Sequence, residues 1–335
     1  MFEKTFKKST LFAASLILAA TSASWAGCPS TSTIYDVSGS GNPTNTYYVA
    51  VAANFTSTLY SWLSTYYFSS VNNSKYNSTN YSTYKIELCS DSTGNLKSAI
   101  NAGTLVPIMF FAADNTAIHR TINSISKSME YAVGYPVLIG YTGGVNGNNA
   151  TVTKTISSVG DLVTGLTGGS QDIPATGQSL SDYTLSSTLT ARTDGTGVLV
   201  SDPALAPYGL AAINVINTME GTALSNDPDS TTIPAWLKPL ATYSSVNKAY
   251  NAIGISTGAN AGFASYSLIC NNLPSNAYWV RITDSTKLTA QDVGYFADND
   301  ASTLPGSDMY DLVTTEKNSG VWLSLITANG CYSGI

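Results

Sequence analysis

One histidine, His119, is the whole imidazole supply of this chain, and its four cysteines stand far apart with no zinc-binding spacing. A Cys/His metal centre is therefore not expected. Gly254-Ile255-Ser256-Thr257-Gly258 fits the G-x-S-x-G nucleophile elbow, but the histidine of such a site follows the serine, whereas His119 precedes it. No H-E-x-x-H, phosphate-loop or dinucleotide glycine pattern occurs. The chain reads as a non-enzyme without a cofactor. Charge is scarce as well: 11% of residues are charged, with 15 Lys+Arg against 21 Asp+Glu. An acidic balance excludes nucleic acid and anionic lipid as expected partners. Long apolar runs are also missing, since nothing beyond the first 26 residues approaches the roughly 18 needed to span a bilayer.

The first 26 residues form a secretory leader: Lys4, Lys7 and Lys8, then the apolar stretch Leu11 to Ala20, then a small-x-small site at Ser24-Trp25-Ala26. Removing its three lysines and Glu3 leaves 12 basic against 20 acidic residues, a net charge near −8. Export to the periplasm suits the Ser, Thr, Asn, Tyr and Gly that replace charge at the surface. Cys28, Cys89, Cys270 and Cys331 all survive cleavage and are expected to form two structural disulfides, with three connectivities open. A lipid anchor on Cys28 is the alternative, because Ala26-Gly27-Cys28 resembles the end of a lipoprotein processing site. Trp25 departs from the aliphatic residue usual there.

After an aperiodic lead-in at 27–46, Tyr48 to Ala52 reads as a buried strand, Thr56 to Tyr67 as a helix and Tyr84 to Leu88 as a second strand. Leu96 to Ile100 continues a helix, and Val106 to Phe111 is a third strand. Strands alternating with helices predict a parallel sheet covered on both faces, with ligands beyond the carboxyl ends of the strands. Polar stretches at 69–82 and 142–192, the latter with a short helix around 159–166, read as surface excursions. Val198-Leu199-Val200, the turn Ser201-Asp202-Pro203-Ala204-Leu205-Ala206-Pro207-Tyr208-Gly209 and the apolar run from Leu210 to Met219 predict strand, turn and helix. A helix launched this way aims unpaired amides and the positive end of its dipole at an anion.

Ala53-Asn54-Phe55-Thr56, Ser92-Thr93-Gly94-Asn95-Leu96, Phe111-Ala112-Ala113-Asp114, Asp202 to Gly209 and Ala261-Gly262-Phe263-Ala264 occur in that order. Together they resemble the periplasmic molybdate-binding proteins of ABC transporters. The resemblance spans Tyr47 to Phe296. It implies the type II binding-protein fold: two α/β lobes, here 47–134 plus 275–335 and 135–274, joined by a two-stranded hinge with the ligand cleft between them. It also implies a monomer that presents molybdate or tungstate to a membrane permease. By position, Asn54 matches the polar ligand after the first strand, Thr93 the second residue of the family's Ser-Ser pair with Ser92 beside it, and Tyr208 and Val246 residues whose backbone amides face the anion. Asp91 stands where the family usually has a small residue, and Ser265 where some members present a tyrosine.

Neutral donors can hold a dianion in a closed cleft because each hydrogen bond to a charged group is worth about 1.5–3 kcal/mol. Two other readings compete with molybdate or tungstate. One is a binding protein for another oxyanion or small solute. The other is an exported structural or adhesive protein, which the low charge suits but the helices after Asn54, Gly94 and Gly209 oppose.

Overall fold

The run Tyr48 to Ala52 forms the centre of a strand, β2 (Asn45–Ala52), whose last four residues are buried. In the computed structural model, the described residues are 27–38, 43–69, 84–120, 122, 124–141, 170–173, 198–220, 243–253, 261–272, 277–282, 289–299, 305–318 and 320–334. The leader, the helix around 159–166 and the elbow pattern at 254–258 lie outside them. Side chains along β2 alternate between two cores: Val49 and Val51 join one cluster with Phe55, Trp62 and Phe111, while Ala50 joins Cys89, Leu96 and Phe110. That period of two explains why the strand reads as continuously apolar, since a helix layer covers each face.

β2 pairs in parallel with β3 (Tyr84–Asp91) and β4 (Met109–Phe111). β4 is shorter than the expected Val106–Phe111 run because Pro107 lacks an N–H for the ladder. Helix α1 (Thr56–Trp62) passes into a wider turn at Leu63–Tyr67, α2 (Thr93–Asn101) follows β3, and α3 (Thr116–Arg120) follows β4. The lead-in is not structureless: β1 (Thr33–Ser38) pairs antiparallel with β3 along its full length. Only Val37 of its six residues is buried, so its apolar signal is weak; the Cys28–Cys89 disulfide and a Thr31–Asp91 hydrogen bond of 2.8 Å hold it.

The chain then leaves this sheet through β5 (Lys127–Gly134), passes Tyr135, and enters β6 (Pro136–Tyr141) of a second sheet. That sheet also holds β7 (Ser170–Ile173), β8 (Val198–Leu199), β9 (Ala261–Ser265) and β10 (Ala277–Ile282); α4 (Pro207–Glu220) and α5 (Val246–Ala252) lie between β8 and β9 in sequence. The return to the first sheet comes with β11 (Thr289–Tyr295), followed by α6 (Pro305–Glu316), α7 (Gly320–Thr327) and β12 (Tyr332–Ser333). β6 pairs antiparallel with β10, and β5 with β11, so the stretch of chain that enters the second sheet and the one that leaves it pair with each other in both sheets. The fold is thus the two-lobed α/β architecture with a two-stranded connection.

Two details differ from the sequence reading. The sheets are mixed rather than parallel, because the returning β11 enters antiparallel between β4 and β5, and β10 runs antiparallel to β6 though parallel to β7. β10, expected in the first lobe after residue 275, still belongs to the second sheet. The cysteines pair as Cys28–Cys89 and Cys270–Cys331. The first pair occupies the sulfur that a lipid anchor would need.

Candidate functional site

The turn after β2 is fixed by Ala53 N donating to Asp91 O at 2.9 Å and Phe55 N donating to Ala52 O at 2.8 Å, which leaves Asn54 buried at its apex. Asn54 is not a helix cap: Phe55 holds that position with no side-chain bond. Instead, Asn54 Nδ2 donates to Gln291 Oε1 at 3.3 Å and Tyr332 Oη at 3.4 Å, while Asn54 Oδ1 has no partner among the described residues. Ser92 does cap α2, its Oγ accepting from Asn95 N at 3.1 Å. Thr93 Oγ1 accepts from Ala113 N at 3.0 Å. Since both hydroxyls act as acceptors in these bonds, each keeps its proton for a ligand.

Asp91 does not confront the cavity as a bare charge. Its carboxylate accepts from Ser92 N (2.7 Å), Asn95 Nδ2 (3.0 Å) and Thr31 Oγ1 (2.8 Å), and Lys248 Nζ of α5 stands 3.9 Å away. The arrangement uses up the Ser92 amide. Gly94 N is likewise taken, donating at 2.8 Å to Leu205 O across the gap between the lobes. A Cβ on Gly94 would stand 2.7 Å from Leu205 Cα, so only glycine permits this approach. Thr93 N–H is left, at the start of α2, with no acceptor among the described residues.

On the opposite wall, Asp202 organises the predicted turn: its carbonyl accepts from Leu205 N (3.1 Å) and Ala206 N (2.7 Å), and Oδ1 from Ala204 N (2.9 Å). α4 starts at Pro207, where the missing N–H costs nothing, earlier than the sequence suggested. The next amide, that of Tyr208, finds no acceptor among the described residues, and neither does that of Val246 at the start of α5. The Tyr208 ring is buried away from water, and its hydroxyl accepts from Gln291 Nε2 at 2.7 Å. Ser245 caps α5, its Oγ accepting from Lys248 N at 3.3 Å.

Asn54, Ser92, Thr93, Tyr208 and Val246 all line one cavity of about 200 Å³ between the lobes, together with Ser245 and alanines of both walls. None of its lining residues carries a charge. Behind it lies a polar network the sequence did not announce: Tyr131 Oη donates to Gln291 Oε1 at 2.7 Å, Tyr332 Oη to Asn54 O at 2.8 Å, and Ser267 Oγ to Asn54 O at 3.0 Å. Ser265, in contact with Ser267 at 2.7 Å, also reaches the Tyr208 hydroxyl. Burial pushes the phenols of Tyr131, Tyr208 and Tyr332 above their ordinary value, so the network stays neutral. His119 is half exposed on α3, and its Nε2 lies 2.5 Å from the buried Asp292 carboxylate.

No protein-family profile and no curated protein matches this chain. Among solved structures it is similar to the periplasmic molybdate-binding protein of Azotobacter vinelandii, at 16% identity and a TM-score of 0.47, covering 86% of this chain and 98% of that one. It is also similar to the regulatory domain of CcmR from Synechocystis, solved with 2-PG, at 10% identity and a TM-score of 0.44 over 82% and 98% of the two chains. A LysR-type transcriptional regulator of Neisseria meningitidis, CrgA, matches at 13% identity with a TM-score of 0.42, over 82% of this chain and 69% of that one.

Proposed function

We propose that this chain is an extracytoplasmic solute-binding protein that captures a tetrahedral oxyanion, molybdate or tungstate, between its two lobes and delivers it to the permease of an ABC importer. The observation that carries this reading is the convergence of Asn54, Ser92, Thr93, Tyr208 and Val246, drawn from four separate turns, on one uncharged cavity. The hydroxyls of Ser92 and Thr93 have protons to give, and the amides of Thr93, Tyr208 and Val246 lack acceptors among the described residues. Five such donors, each worth about 1.5–3 kcal/mol to a charged ligand, suffice to hold a dianion without a salt bridge.

Release follows from the same geometry. The Gly94–Leu205 bond and the Asp91–Lys248 pair join the lobes beside the cavity, and separating them opens it by rotation about the paired strand segments. Isothermal titration of the leaderless chain with molybdate, tungstate, sulfate and phosphate tests the proposal. Tight binding of the first two and weak binding of the others is expected. Preference for sulfate would keep oxyanion capture and replace the ligand; no heat from any of them would overturn the proposal.

A further inference from the structure

We propose that Gln291 is a positioning residue that, together with Asn54, forms a coupled pair of side-chain amides setting the polarity of the cavity; this rests on the anion-binding reading above. Gln291 is fully buried, at 0% exposure, on β11, at the register shift between Gln291 and Asp292. Such an irregularity re-aims side chains, and here it buries two successive polar residues in opposite directions: Asp292 meets His119 and Gln291 meets the network behind the cavity.

Every donor and acceptor in that network can be assigned. Asn54 Nδ2 and Tyr131 Oη both donate to Gln291 Oε1, and Gln291 Nε2 donates to Tyr208 Oη. One atom is left over: Asn54 Oδ1, an acceptor without a donor, on a residue that is 1% exposed and lines the cavity. An acceptor there repels an anion. Turning both amides end for end reverses the pattern at no loss of shape, because amide oxygen and nitrogen are nearly isosteric. Gln291 Nε2 then donates to Asn54 Oδ1 and to Tyr131 Oη, which in turn donates to Ala112 O, already 3.2 Å away. Gln291 Oε1 accepts from Tyr208 Oη, Tyr332 Oη continues to donate to Asn54 O, and Asn54 Nδ2 is the group presented to the cavity.

Neither amide can turn alone: with only Asn54 turned, its Oδ1 faces Gln291 Oε1, and with only Gln291 turned, its Nε2 faces Asn54 Nδ2. The two settings of the network therefore differ in which end of Asn54 faces the cavity, and only the second suits an anion. The setting reaches from the first lobe to the second, because Gln291 lies on the first sheet and Tyr208 on α4, so loading reverses the bond between them. Gly134 makes room for that bond: a Cβ there would stand within 2.4 Å of Gln291 Nε2 and closer still to Tyr208 Oη.

The test uses the leaderless, disulfide-bonded chain, with sodium molybdate as probe, and compares wild type with Gln291→Met, which keeps side-chain length and removes both hydrogen-bonding ends. Affinity is measured by titration calorimetry, and the side-chain amide resonances of Asn54 and Gln291 by 15N-selective NMR. Wild type is expected to bind, with both amide resonances shifting together on saturation. In Gln291→Met the affinity should fall about tenfold or more, in line with one lost hydrogen bond to a charged group, and the Asn54 shift should shrink. Equal affinity in the two proteins, or wild-type amide resonances that respond independently, would overturn the role of Gln291 and leave anion binding intact. If wild type gives neither heat nor shifts with molybdate, the anion reading falls and this inference with it.

Discussion

The two walls of the cavity face the same space with different chemistry. The first-lobe wall presents side chains: Asn54, Ser92 and Thr93, each also bonded into its own lobe through Gln291, Asn95 or Ala113. The second-lobe wall presents the backbone amides of Tyr208 and Val246, whose side chains are buried in the lobe and point their chemistry elsewhere. One wall can thus be changed by mutation atom by atom, whereas the other is set by where α4 and α5 begin. Selectivity should reside in the first wall, and affinity common to any small oxyanion in the second.

The largest effect is expected from keeping the walls apart. Gly94→Ala drives a methyl group against the Leu205 backbone, and a clash of this kind costs about 1–3 kcal/mol, all of it in the closed form. Calorimetry should show oxyanion affinity lowered by up to about a hundredfold with the thermal stability of each lobe little changed; unaltered affinity would mean that the walls need not meet as they do here. Next come Asn54→Ala and Thr93→Ala, each expected to weaken molybdate binding by about tenfold or more, in titrations at equal protein stability. If both leave affinity unchanged, the division of labour between the walls is wrong.

Alkali attacks the network behind both walls. Because burial raises the phenols of Tyr131, Tyr208 and Tyr332, the folded chain keeps protons that the unfolded chain releases above about pH 10. Their contribution is fully present below that pH and is lost as pH rises further, so denaturation midpoints should fall steeply from about pH 10 upward. A flat profile there would contradict a buried, neutral tyrosine network. The smallest effect on binding is expected for Val246→Ala: the amide remains, so affinity should change less than about threefold even where the melting temperature drops from lost packing. A loss comparable to Asn54→Ala would show that the second wall also works through side chains.

Both walls were legible in sequence because each depends on a local turn. The apolar run through Ala52 followed by Asn54, the Ser92-Thr93-Gly94 helix start and the Asp202 to Gly209 turn all encode their own geometry within a few residues. What was not legible depends on distant pairing. Gln291 reads as one polar residue in a strand of mixed polarity, and only the placement of β11 beside β5 brings it to Asn54 and Tyr208. Tyr332 enters through β12, a strand of two residues. β1 went unrecognised because an edge strand with one buried side chain carries no alternation, and the mixed sheets arise from crossings between lobes that periodicity cannot see. Asp91, standing where the resemblance leads one to expect a small residue, is likewise explained only by distant partners, Thr31 and Lys248, together with Asn95.

The most direct measurement of the central claim is a thermal-shift titration of the leaderless chain with molybdate and, in parallel, sulfate. Ligand at a hundred times its dissociation constant adds about 2.7 kcal/mol to stability, so molybdate should raise the melting temperature by several degrees and sulfate by less. No shift with any tetrahedral oxyanion at millimolar concentration would contradict it.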